Sequence, residues 1–408
     1  MAGTYGLLGE KLGHSFSPQI HEQLADYHYG LYEQTLQQLE DFFVRKAFDG
    51  LNVTIPYKKT VLPFLQEISP RAQRIGCVNT VKKRKDGTLY GDNTDYDGFL
   101  YLLKKLGVQV QGKKALVLGS GGGSLTARTV LQEEGAAEIR IVSRSGEDNY
   151  QNLERNYDAQ MIVNTTPVGM YPNNGKAPLD LTPFRQCEAV VDIIYNPART
   201  KLLLDAERLG IPCINGLPML VAQAKRACEI FTEAEIAEER IDEITAQIER
   251  QTKNVILIGM PGCGKTTIGR ALGKLCGRES VDIDACIVER IGKSIPEFFA
   301  EQGEKAFRKL ETEVLSEVCK RSGLIISTGG GVVTQACNLD ILRQNGNIIM
   351  LERPIEELSV AGRPVSQSRS VQTLAKERMP LYRGWSERAV ACIGVRQTAE
   401  KIKEELKL

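Results

Sequence analysis

The chain is 408 residues long, 42% hydrophobic and 25% charged, with a net charge of +1. At roughly 100–200 residues per domain this length points to about two to four domains, of ordinary globular composition. The near-zero charge leaves no electrostatic footprint for nucleic acid or an anionic membrane. No apolar stretch is long enough to span a bilayer and the N-terminus has no signal-peptide layout, so the expected location is the cytoplasm. The ten cysteines are scattered without a C-x-x-C pair, as expected of reduced thiols, and Cys263 is the one expected to be modifiable. His14, His21 and His28 recur every seven residues, too long a spacing on a helix for one metal site, and read as surface or packing histidines.

Along the chain, short apolar runs alternate with helical patterns, which implies parallel sheets. Strands are expected at Tyr5–Gly9, Leu51–Pro56, Lys114–Leu118, Glu138–Val142, Met161–Val163 and Ala189–Ile194, with a helical pattern over Pro18–Tyr27. The strand at Lys114 runs into Gly119-Ser120-Gly121-Gly122-Gly123-Ser124 and then a helix, so a pyrophosphate could dock on the helix N-terminus. A turn of this kind can also be merely tight. At the end of the next strand, Ser143-Arg144-Ser145 stands where NAD-selective sites place an acidic residue, and an arginine flanked by hydroxyls suits a 2′-phosphate. A plain surface arginine is the alternative. From Leu217 to about Arg250 the sequence reads as one increasingly charged helical tract with no Gly/Ser linker after it.

The second half carries the sharpest signal. Gly259-Met260-Pro261-Gly262-Cys263-Gly264-Lys265-Thr266 fits G-x-x-x-x-G-K-[ST], between the apolar strand Val255–Ile258 and a helical Ile268–Leu272. Its glycines, with Thr267 following, would let backbone N–H groups wrap the phosphates of a nucleotide. Lys265 would reach the β/γ oxygens, and the Thr266 hydroxyl would ligate Mg²⁺. Because a P-loop normally opens its domain, residues before about 250 are expected to belong to something else. Val281-Asp282-Ile283-Asp284 reads as a strand whose two carboxylates, Asp282 and Asp284, point the same way, so that one can serve Mg²⁺ through water while the other accepts a proton or hydrogen bond from an acceptor hydroxyl.

Several N-terminal runs then fall into a known order. They are Gly9 to Pro18 (with Ser15 and Ser17), Asn52-Val53-Thr54-Ile55-Pro56-Tyr57-Lys58, Gly76-Cys77-Val78-Asn79-Thr80, and Gly91-Asp92-Asn93-Thr94-Asp95. Asn164 to Met170 and Asn215 to Gln223 follow. Together they resemble shikimate dehydrogenase over residues 4 to 230. The resemblance implies that Lys58 donates the proton, with Asp95 holding it and binding a ring hydroxyl. It gives Ser15 and Ser17 the substrate carboxylate, and Thr54, Asn79 and Gln223 the ring hydroxyls. NADP is implied at Gly119, Gly121, Gly122, Gly123, Ser143, Arg144, Ser145, Thr165, Met170 and Gly216. Only residues 145 to 160 separate Arg144 from the next strand, too few for a helix, strand and helix, so the cofactor domain looks trimmed.

Gly303 to Glu311, Ser327 to Val333, Arg363-Pro364 and Arg378 to Tyr382, together with the P-loop, resemble shikimate kinase over residues 253 to 408. By that resemblance Asp284 binds ring hydroxyls and is the candidate base, Arg308 and Arg378 clamp the carboxylate, and Glu311 orients Arg308. The Gly329-Gly330-Gly331 backbone approaches the ring, and Arg363 sits in a lid over ATP. Arg308 could instead pair with Glu304 or Glu311 on a solvated helix.

The expected fold class is therefore α/β. An N-terminal substrate domain (1–100, completed by the 217–250 helix) adjoins a trimmed Rossmann-type NADP domain (101–216), and a P-loop kinase domain with a parallel sheet (253–408) follows. The expected function is a bifunctional enzyme that reduces 3-dehydroshikimate with NADPH to shikimate and phosphorylates shikimate with ATP and Mg²⁺. Its expected partners are small molecules, with no nucleic acid or membrane, and a homo-oligomer is compatible. The alternatives are a quinate-type dehydrogenase fused to another small-molecule P-loop kinase, and a non-catalytic pathway-sensing regulator. Lys58, Asp95, Lys265, Asp284 and Arg308 are all present, which speaks against the regulator.

Overall fold

A computed structural model describes residues 3–13, 15–358 and 370–408. They form three sheets. The first contains β1 (Thr4–Gly9), β2 (His28–Glu33), β3 (Gly50–Val53), β4 (Glu67–Ile68), β5 (Thr80–Lys83) and β6 (Leu89–Asp92), in spatial order β2-β1-β3-β5-β6-β4. Here the expectation of parallel strands is corrected: β5 runs antiparallel to both β3 and β6. The cause is local. A short turn joins β5 to β6, with Arg84 N donating to Thr88 O at 2.9 Å and Gly87 at φ +82°. A connection that short can only return the chain antiparallel.

The second sheet is wholly parallel, with β7 (Lys114–Leu118), β8 (Glu138–Val142), β9 (Met161–Asn164), β10 (Ala189–Asp192) and β11 (Cys213–Ile214) in order β11-β10-β9-β7-β8. Ala115 to Leu118 are fully buried, the unbroken apolar run that a strand covered on both faces requires. Helices Asp95–Leu106 and Gly122–Glu133 contribute to its core. Between β8 and β9 there is only a 3₁₀ turn, Leu153–Asn156, so β8 ends the sheet and the trimming expected from chain length is present.

The third sheet is also parallel: β12 (Asn254–Ile258), β13 (Ser280–Asp282), β14 (Ile325–Ser327), β15 (Gly346–Glu352) and β16 (Arg388–Ala391), ordered β13-β14-β12-β15-β16. The buried β12 delivers the phosphate loop to the carboxyl edge of the sheet, where α/β folds bind ligands.

The expected single tract after Leu217 is two helices, Leu217–Thr232 and Glu239–Thr252. Glu233 turns left-handed (φ 59°), and the Glu229 carboxylate accepts from Ile236 N at 3.0 Å, which ties off the first helix. The chain divides into two compact units. The first is Met1–Val168, Ala177–Tyr195 and Asp205–Ala246; the second is Gly169–Lys176, Asn196–Leu204 and Gln247–Leu408. Within the second unit, Tyr171 Oη donates to Cys319 O at 3.3 Å and Arg199 N to Gln344 O at 2.8 Å.

Candidate active sites

In the first unit, Lys58 Nζ lies 2.5 Å from Asp95 Oδ2. The other carboxylate oxygen of Asp95 accepts from Asn79 Nδ2 at 2.9 Å, and the same amide nitrogen is 3.5 Å from Gln223 Oε1. Gln223 is oriented in turn by its bond to Leu220 O at 2.8 Å. Asp95 opens helix Asp95–Leu106, where an acidic residue also meets the positive end of the helix dipole. Four residues far apart in sequence thus form one connected cluster with an ion pair at its centre.

Ser15 and Ser17 stand at the start of helix Ser17–Leu24, their hydroxyls 3.1 Å apart, with Ser17 N donating to Ser15 Oγ at 3.2 Å. Two hydroxyls at a helix N-terminus suit a carboxylate. Thr54 follows β3, its N–H donating to Leu8 O at 2.9 Å. Behind these residues is a buried polar layer the sequence reading missed. Tyr29 Oη donates to Asn52 Oδ1 at 2.7 Å, and His21 stacks on Tyr29 with ring centroids 3.9 Å apart. Burial pushes the His21 imidazole down to about 3, so it is neutral and acts in packing. Only the polar Asn52 in an otherwise apolar strand could have signalled this layer. His28 is exposed, and His14 lies outside the described residues.

The glycine turn faces this cluster. A Cβ on Gly119 (φ +109°) would sit 2.7 Å from Thr165 Oγ1, one on Gly123 would sit 2.9 Å from Ile193 Cδ1, and one on Gly216 would sit 2.0 Å from Ile193 O. These glycines are therefore demanded by close packing. Gly121 has open space, and a Cβ on Gly122 would meet only Lys58 Cδ and Cys77 Sγ, each at 3.9 Å. The open N-terminus of helix Gly122–Glu133 is thus a cradle that a side chain would fill, next to Lys58. Arg144 and Ser145 are exposed at the end of β8 and Ser143 is half-buried. Met170 belongs to a segment of the second unit and is 44% exposed.

In the second unit a cavity of about 500 Å³ is lined by Gly262, Gly264, Lys265, Thr266 and Thr267 on one side. Asp284, Arg308, Glu311, Arg378 and Gly329 to Gly331 also line it. Lys265 Nζ donates to Gly259 O and Met260 O at 2.9 and 3.0 Å, and Thr266 Oγ1 donates to Asp282 Oδ2 at 2.5 Å. Arg308 Nη1 donates to Glu311 Oε2 at 2.8 Å and Nη2 to Glu304 Oε1 at 3.2 Å. Both readings of Arg308 therefore meet, because the pairing with Glu304 and Glu311 exists and the guanidinium is buried in the cavity. A Cβ on Gly331 would fall 2.1 Å from Arg308 Nη1, so the backbone approaches where no side chain fits. Arg378 Nη1 donates to Gly330 O at 3.1 Å. Burial, then Asp282 and Glu311, push the Asp284 carboxyl up to about 6, against Lys265 and Arg308. Burial also raises the Glu311 carboxyl in spite of Arg308.

Residues 261–407 match the family model of shikimate kinase, and residues 7–81 that of the shikimate dehydrogenase substrate binding domain. A curated shikimate dehydrogenase (NADP(+)) from Clostridium perfringens is 36% identical over 60% of this chain and 98% of its own length. The chain belongs to the shikimate dehydrogenase family. It carries a shikimate kinase domain behind it, and so is a bifunctional shikimate-pathway enzyme. A solved chorismate mutase/shikimate 5-dehydrogenase fusion from Clostridium acetobutylicum is 38% identical, covering 61% of this chain and 98% of that one, with a TM-score of 0.58. The shikimate 5-dehydrogenase of Thermus thermophilus, solved with NADP(H) and shikimate, is 33% identical, covering 60% of this chain and 98% of its own, at a TM-score of 0.55.

Three readings of the kinase domain need revision or fall outside view. Asp282 and Asp284 do not share a strand face: Asp282 ends β13 and caps helix Ile283–Ile291, accepting from Ala285 N at 3.2 Å, while Asp284 lies in that helix's first turn. Acidic residues at a helix start are favoured by the free N–H groups there, and the buried Ile283, packing inward from the helix, tips the balance against a continued strand. Cys263 is fully buried beneath the phosphate loop, because the loop wraps over its own small side chains; it is not accessible, whereas Cys337 is exposed. Arg363 lies outside the described residues. The sequence reading also missed Arg353, Ile295 and Phe299 in the cavity wall, since nothing in their spacing marks them, and gave no role to Phe307 inside the Gly303–Glu311 run.

Proposed function

We propose that the first unit reduces 3-dehydroshikimate to shikimate with NADPH and that the second phosphorylates shikimate to shikimate 3-phosphate with ATP and Mg²⁺. The observation that carries this is the Lys58–Asp95 pair beside an open glycine cradle, on the same chain as a P-loop cavity containing two buried arginines. When bound, NADPH supplies the hydride to the ring ketone carbon. Lys58 then gives its proton to the ketone oxygen, and Asp95 holds the ammonium in position with Asn79 fixing its other oxygen. Ser15 and Ser17 take the substrate carboxylate, and Thr54, Asn79 and Gln223 take ring hydroxyls. Gly119, Gly123 and Gly216 shape the cofactor cradle with Thr165, and Ser143, Arg144 and Ser145 favour the 2′-phosphate of NADP.

In the second unit, ATP with Mg²⁺ supplies the phosphoryl group. The Thr266 hydroxyl and Asp282 carboxylate are hard oxygen donors side by side, as Mg²⁺ prefers. Lys265 moves from the loop carbonyls to the β/γ-phosphates. Arg308 and Arg378 clamp the shikimate carboxylate, and the glycines 329–331 let the ring approach. Asp284 accepts the proton of the attacking hydroxyl.

The test is a paired assay on the purified full chain, following NADPH oxidation with 3-dehydroshikimate and ADP release with shikimate. Quinate and NADH serve as competitors. Faster turnover of quinate than shikimate, or no ADP release with shikimate, would retire the corresponding half of the reading.

A further inference from the structure

Among the described residues, four cations line the kinase cavity, Lys265, Arg308, Arg353 and Arg378, against two carboxylates, Asp284 and Glu311. Three of the four donate to oxygen. Lys265 donates to the loop carbonyls, Arg308 to Glu311 and Glu304, and Arg378 to Gly330 O. Arg353 has no carboxylate partner among the described residues. Its polar neighbour is the Cys392 thiol, and its Nε is buried without a hydrogen-bond acceptor. A guanidinium partly withdrawn from water with no counter-ion is costly unless an anion completes it.

The backbone around Arg353 places it on the phosphate side of the cavity. It directly follows β15, whose Met350 is in register with Ile258, the residue before the loop begins. A Cβ on Gly259 would lie 2.7 Å from Leu351 O, so the loop starts hard against the end of β15. Cys392 N donates to Glu352 O at 2.8 Å, and Cys392 Sγ reaches Cys263 O inside the loop at 3.5 Å. Arg353 thus leaves the sheet between the phosphate loop and the end of β16. Arg308, by contrast, packs against Gly331, at the glycine run.

We propose that Arg353 is a nucleotide-phosphate ligand, its N–H groups donating to β-phosphate oxygens of the ATP held by the loop. This rests on the reading of the cavity as an ATP site. A polyanion is what an excess of two positive charges in the lining can accommodate, and the planar fork of arginine suits phosphate oxygens.

The experiment is isothermal titration of the full chain with ADP, adenosine and shikimate in turn, for the unmodified protein, Arg353→Ala, Arg353→Lys and Arg353→Gln. Arg353→Ala should weaken ADP by roughly tenfold or more, the scale of a charge-assisted hydrogen bond, and leave adenosine and shikimate binding unchanged. Arg353→Lys should recover part of the loss, because the ammonium keeps the charge and lacks the fork. Should Arg353→Ala not fold, Arg353→Gln, which keeps length and removes charge, carries the same expectation. Unchanged ADP affinity overturns the proposal. So does a loss that falls equally on adenosine, which would make Arg353 a wall of the base pocket, or one that falls on shikimate, which would make it a carboxylate contact. An unmodified chain that binds no ADP instead defeats the ATP reading itself.

Discussion

Glu311→Ala should unfold the kinase unit more readily than any surface change, and the size of the effect follows from its surroundings. The Glu311 side chain is 1% exposed and that of Arg308 8%, with one bond of 2.8 Å between them. Removing one partner of a buried pair strands the other charge, at a cost of about 3–5 kcal/mol. Glu304 still approaches Arg308 at 3.2 Å, but its side chain is 55% exposed, so its help is screened and the expected cost is about 3 kcal/mol. The chain has a single tryptophan, Trp385, buried in the second unit, so its fluorescence in a urea titration reports on that unit alone. The double variant Arg308→Ala/Glu311→Ala removes the stranded charge and should be more stable than Glu311→Ala. Arg308→Ala by itself should cost less at low pH than at high pH. Burial already raises the Glu311 carboxyl, so the folded state retains its proton and loses stability as pH rises past that raised value. A Glu311→Ala shift below about 0.5 kcal/mol, the size of an ordinary surface substitution, with no recovery in the double variant, would refute the argument.

Lys58→Ala should lower kcat/KM for 3-dehydroshikimate reduction by about 10²–10⁴ while ADP release with shikimate persists; a loss under roughly threefold removes Lys58 from the mechanism. Arg144→Ala should raise KM for NADPH far more than for NADH, checked by initial rates with each cofactor; equal rises make Arg144 a bystander. For the kinase, the Asp284 carboxyl sits at about 6 and is the base only when ionised, so kcat/KM for shikimate should fall as pH drops through that value. An activity flat down to about pH 5, as an ordinary carboxylate would allow, would exclude a catalytic base raised to about 6. Gly331→Ala should raise the KM for shikimate by displacing the Arg308 guanidinium, which a Cβ would meet at 2.1 Å.

Local chemistry made much of this protein legible in advance. The phosphate loop could be read because backbone wrapping of phosphates demands glycine at set spacings and one lysine, a requirement that lives within about eight consecutive residues. The glycine turn after β7 and the fully apolar Ala115–Leu118 were legible for the same reason, as was the trimming, since residues 145 to 160 cannot hold a helix, strand and helix. Lys58, Asp95, Asn79 and Gln223 could be named from their motifs, but their convergence around one carboxylate depends on β3, β5 and two helices meeting. Where two local preferences competed, only the fold decided. Asp282 could continue a strand or cap a helix, and the buried Ile283 beside it settled the matter by packing inward from the helix. Glu233 could extend a helix, yet the Glu229 side chain captured a loop amide and ended it. Arg353 had no sequence signature at all. Its significance is the want of a counter-ion among the described residues, and the set of neighbours a side chain finds is a property of tertiary packing, summed over strands far apart in the chain.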